Sequence, residues 1–155
     1  MPLDKLNAAL ERSVWNHSDA VIEKLRILQS EPLERNVENV HFEAFIPFSV
    51  DDAYPNVWFY LNGKDKKVGS DKSGFYAGNA WDFYTVDNIP TFGHGENERF
   101  ETTDYSNVLA DIVIKWFSEC WWKAGGWYYP VPATICGHEG AGYLRTMILT
   151  KVQPS

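Results

Sequence analysis

The chain has 155 residues, a hydrophobic fraction of 45% and a formal net charge of −7. That length fits one domain, 1–155, large enough to bury roughly two-thirds of its unfolded surface. The charge leaves no positive footprint for a phosphate backbone, and no apolar run approaches the ~18 residues of a spanning helix, so direct nucleic-acid binding and a membrane span are both excluded.

The opening Met1-Pro2-Leu3-Asp4-Lys5 has neither the basic nor the apolar region of a secretory signal. The two cysteines are too few for a disulfide scaffold and read as reduced thiols. The expectation is a cytoplasmic protein.

Leu3, Leu6, Leu10, Val14, His17, Val21, Leu25 and Leu28 step by three or four residues. The spacing predicts one long amphipathic helix from about Leu3 to Gln29, ended by Ser30-Glu31-Pro32. His17 lies in the middle of that stripe and reads as a half-buried, hydrogen-bonded ring.

Antiparallel strands are expected next. Val40, Phe42, Ala44 and Ile46 alternate onto one side of a first strand. Val57-Trp58-Phe59-Tyr60-Leu61 forms a second, followed by the hairpin signal Asn62-Gly63 and a return strand beginning at Lys66-Lys67-Val68. Ser70 to Ala80 reads as loop, and Trp81 to Val86 as a further strand. Asn88 to Thr103 has no periodicity and contains Pro90, Gly93 and Gly95, a long connection of the kind that is either functional or mobile.

A second helix runs from Thr103 or Asp104 to about Lys123 and stops at Gly125-Gly126. Tyr105, Val108, Leu109, Ile112, Val113, Ile114, Trp116, Phe117 and Cys120 cover most of its circumference, so it is largely buried and Cys120 is an inert core thiol. Two last strands fall near Tyr128–Cys136 and Tyr143–Val152, the first made irregular or peripheral by Pro130 and Pro132. The order α-β-β-(β)-β-α-β-β describes an α+β fold, an antiparallel sheet of about five to six strands with two main helices on one face.

Four of the seven tryptophans lie between Trp116 and Trp127. If the second helix persists to Lys123, Trp122 projects on its polar side. A strand at Trp127-Tyr128-Tyr129 also turns at least one ring outward, making an apolar patch suited to binding.

Gly93-His94-Gly95-Glu96 and Cys136-Gly137-His138-Glu139-Gly140 hold the remaining reactive groups. Glycines beside a histidine leave its ring accessible. Cys136, His138, Glu139 and His94 are the candidate catalytic residues, as a thiol–imidazole pair or as carboxylate acid–base groups. Zinc has only a Cys-x-His clip to hold it, so no metal and no cofactor is expected. Phosphate-binding loops, dinucleotide fingerprints, nucleophile elbows and His-Glu-x-x-His are all absent.

In size, charge and aromatic surface candidates the chain resembles the small acidic bacterial proteins that neutralise toxin domains, the immunity proteins. That resemblance implies a non-enzymatic protein-binding domain with a basic partner, contacted through Trp122, Trp127, Tyr128, Glu96, Glu98 and Glu101. The alternative is a small cytosolic enzyme or ligand-binding protein with a His/Cys/Glu pocket lined by aromatics. A homodimer that buries the aromatic segment is a third reading.

Overall fold

The computed structural model describes residues 3–33, 37–46, 54–63, 80–87, 89 and 102–154. Its helices are α1 (Leu3–Trp15), α2 (Ser18–Ser30) and α3 (Thr102–Lys123). Its strands are β1 (Asn39–Phe45), β2 (Asn56–Asn62), β3 (Ala80–Thr85), β4 (Ala133–Gly137) and β5 (Met147–Ile148). The mixed α+β class matches the sequence reading, with three corrections.

First, the expected single N-terminal helix is two. The His17 amide reaches back only to the Val14 carbonyl (3.0 Å), and the Ser18 hydroxyl donates to the Trp15 carbonyl (2.6 Å). The apolar stripe crosses the break unchanged, since Leu10, Val14, Val21, Leu25 and Leu28 are all buried. What breaks the helix is tertiary: the His17 ring lies 2.7 Å from the Tyr84 hydroxyl and 2.8 Å from the Asp87 carbonyl oxygen. Trp116 Nε1 on α3 donates to the Ser18 hydroxyl (2.9 Å), fixing the same corner to the core.

Second, the sheet is not wholly antiparallel. Its order is β3-β2-β1-β4-β5, and β1 pairs with β4 in parallel. Parallel neighbours need a crossover, which α3 supplies between β3 and β4. Both prolines stay outside the β4 ladder, and Pro132 contributes only its carbonyl, which accepts from Val40 N at 2.9 Å. Hence β4 is an interior strand, where an irregular or edge strand was expected.

Third, the segment around β5 pairs only over Met147–Ile148. Asp111 Oδ1 on α3 accepts the amides of Tyr143 (2.8 Å) and Leu144 (2.9 Å), and Asn107 Oδ1 accepts that of Gly142 (2.9 Å). Amides bound to the helix cannot join a ladder, so the expected strand from Tyr143 shrinks to two residues.

Alternation builds the core. Val40, Phe42 and Ala44 of β1, Val57, Phe59 and Leu61 of β2, and Ala133 and Ile135 of β4 are buried together with the apolar arc of α3. Phe42 sits at the centre, its ring 4.7 Å from Phe117, 5.0 Å from Phe59 and 5.6 Å from Trp121. Each such ring stabilises the fold by about 1.5–3 kcal/mol through burial alone. α1 and α2 pack in turn against α3.

α3 ends where Gly125 adopts φ +96°, a left-handed stop that a side chain would strain. Gly126–Tyr128 then forms a 3₁₀ turn in place of the expected strand start. Tyr129 turns inward, 5.2 Å from the Trp121 ring. The Asn62-Gly63 hairpin's return strand at Lys66-Lys67-Val68 lies outside the described residues, as does most of the connections at 70–80 and 88–103. Among the described residues no helix is long and apolar enough to cross a membrane.

Candidate functional site

The residues of β1, β2 and β4 that do not face the core form a second surface. Strand register sets them in cross-strand rows: Tyr60, His41 and Thr134 in one, and Trp58, Glu43 and Cys136 in the next. Phe45 and His138 continue the array, their rings stacked at 3.9 Å. All of these side chains are half-buried.

His41 is the hub. Its Nδ1 lies 2.7 Å from Thr134 Oγ1, and its Nε2 lies 3.3 Å from Cys136 Sγ. With the proton on Nδ1 and donated to Thr134, Nε2 accepts from the Cys136 thiol. Glu43 stands beside this pair. Its negative charge acts on the nearby Tyr60 hydroxyl. His138 Nδ1 is 3.3 Å from Glu43 Oε1, a close approach without hydrogen-bond alignment.

Burial lowers the His41 pKa from its ordinary value, against a smaller opposing pull from Glu43. Burial and the Glu43 charge both raise that of Cys136. Burial and Glu43 likewise raise that of Tyr60. Thiol and imidazole are therefore both held neutral. A nucleophilic cysteine needs the reverse, a thiolate stabilised by neighbouring positive charge.

Of the residues singled out in the sequence, Cys136 and His138 reach this surface, but Cys136 has His41 as its imidazole neighbour. The chain leaves the strand at Gly137, where a Cβ would overlap the Ala141 carbonyl oxygen, and turns through His138–Gly140. Glu139 holds φ +53° in that turn and its side chain points to solvent, 3.6 Å from His138 Nε2. Cys136 also lines a cleft of about 470 Å³ formed with Gly140 to Thr146. Cys120 is in the core on α3. His94, Glu96, Glu98 and Glu101 lie outside the described residues.

His41, Glu43, Tyr60 and Thr134 were missed. The signal was in the β1 alternation, which places His41 and Glu43 together on the face opposite Val40, Phe42 and Ala44.

The aromatic candidates form a separate surface at the other end of β4. Trp122, Trp127 and Tyr128 are 37%, 42% and 76% exposed. Trp122 Nε1 donates to the Leu149 carbonyl (2.8 Å), whose amide in turn donates to Ala133 at the start of β4 (2.8 Å). The Lys151 amide donates to the Trp127 carbonyl (2.8 Å), and Lys151 Nζ stands 5.7 Å from the Tyr128 ring centroid. Ile148 and Val152, also exposed, belong to the same stretch of chain.

No protein-family model, curated protein or solved structure matches the chain.

Proposed function

We propose that the protein is a non-enzymatic protein-binding domain for a basic partner, an inhibitor of the immunity type. The carrying observation is the exposed group Trp122, Trp127 and Tyr128 at the end of α3. Tryptophan and tyrosine dominate binding hot spots. Here the Trp122 indole and the backbone at Trp127 are already tied to the segment 149–151, so little ordering remains to oppose association. The net charge of −7 favours fast encounter with a positive partner.

The test is affinity capture from native lysate with the wild-type chain and a Trp127→Ala/Tyr128→Ala variant. A stoichiometric basic protein retained by the first and lost by the second is expected. Identical captures, or an association rate indifferent to salt, refute the reading.

A second reading is favoured by one contact. The 3.3 Å approach of His41 Nε2 and Cys136 Sγ, flanked by Glu43, Phe45, Trp58 and Tyr60, suits a small ligand. Chemical-shift mapping with small-molecule mixtures tests it, and resonances of these residues that never move argue against it.

A further inference from the structure

His41, Glu43 and Cys136 each offer one ligand atom, and the three atoms lie within 4.8 Å of one another. We infer that they form a site for a divalent transition metal of the zinc class. Imidazole nitrogen, carboxylate oxygen and thiolate sulfur are the three donor types zinc takes. With metal–nitrogen and metal–sulfur bonds of ~2.0–2.1 Å and ~2.3 Å, a tetrahedral ion holds those donors roughly 3.5 Å apart. His41 Nε2 and Cys136 Sγ stand at 3.3 Å, close to ligand spacing without an ion. The soft sulfur discriminates against magnesium and calcium.

The scaffold suits the task. His41 and Glu43 are two apart on β1, and Cys136 is the register partner of Glu43 on β4, so every ligand rises from paired interior strands. An outer contact is in place as well. Thr134 accepts from Nδ1 of His41 and leaves the Nε2 lone pair for the ion. On binding, the Cys136 thiol loses its proton to solvent and the sulfur–metal bond takes its place. One thiolate and one carboxylate then balance the ion's two charges. Three protein ligands leave a fourth position for water, as in catalytic zinc sites.

The site rests on the ligand-binding reading of this face and is independent of the aromatic surface. Chelator-stripped, reduced protein is titrated with Zn²⁺ by calorimetry and with Co²⁺ by absorption. One-to-one binding is expected, with a thiolate-to-cobalt charge-transfer band and strong tetrahedral d–d bands. Cys136→Ser removes the charge-transfer band, whereas Cys120→Ser leaves it. Thr134→Val, which deletes no ligand, weakens zinc binding by ~10–100-fold. Zinc protection of Cys136 from alkylation in the wild-type chain reads the same contact without any variant. Absence of saturable one-to-one zinc binding overturns the site, as does a charge-transfer band that survives Cys136→Ser. Small organic ligands that bind this face without metal preserve the broader reading while the metal site fails.

Discussion

Two neighbouring indoles share one acceptor. Trp121 Nε1 (3.1 Å) and Trp122 Nε1 (2.8 Å) both donate to the carbonyl of Leu149, a residue with no exposed surface. Replacing either tryptophan with phenylalanine leaves the oxygen one donor, at a hydrogen-bond cost of about 0.5–1.5 kcal/mol. Replacing both strands a buried carbonyl, which costs about 1–3 kcal/mol. The cavity left by Trp121→Phe occurs in both arms of a double-mutant cycle and cancels. Removing the second donor then costs about 1–3 instead of about 0.5–1.5 kcal/mol, so the double variant is expected to lose about 0.5–1.5 kcal/mol more than the sum of the single losses. In a chain of this size that excess lowers Tm by roughly 2–4 °C per kcal/mol. Urea unfolding of the four proteins measures the coupling directly, with an unchanged slope confirming comparable unfolded states. Additivity within ~0.5 kcal/mol refutes the shared-acceptor argument.

Gly137→Ala forces a Cβ onto the Ala141 carbonyl and is expected to cost about 1–3 kcal/mol in urea unfolding. Gly140→Ala meets no neighbour and should cost only the roughly 1–2 kcal/mol of its left-handed backbone, so a larger loss at Gly140 contradicts the packing account. Burial pushes the Cys120 thiol from its ordinary value of 9.0 up to about 11. Because the folded pKa is the higher one, the contribution is complete below pH 9 and disappears as pH rises through 11. Wild type should lose on the order of 2 kcal/mol more than Cys120→Ala across that window, and parallel alkaline unfolding curves would remove the claim. Under native, metal-free conditions a thiol reagent should label half-buried Cys136 and spare Cys120 until unfolding; equal labelling rates would place Cys120 outside the core.

The parts of the fold written in local periodicity were legible in the sequence. Val40, Phe42 and Ala44 alternate into the core as read, and the apolar arc from Leu109 to Cys120 is buried. The break at His17 was not legible, because its stripe is continuous and its causes are contacts to Tyr84, Asp87 and Trp116, far away in the chain. Nor was the parallel pair, since no local pattern states which sheet edge a returning strand will join. The open-face cluster was half legible. The alternation that buries Phe42 presents His41 and Glu43 together, but their meeting with Cys136 depends on the β1–β4 pairing.

That pairing also governs how the chain acquires its shape. β1 meets β2 after a short stretch of chain, yet its other neighbour, β4, begins at Ala133. During synthesis, one edge of the sheet's central strand has unpaired amides and carbonyls until more than eighty further residues have emerged. Long-range pairing of this kind slows folding, and an unpaired strand edge invites association with other chains. A chain truncated before β4 keeps β1 and β2 but lacks the strand that closes this edge. Such fragments should aggregate, and productive folding should wait for synthesis to pass Gly137.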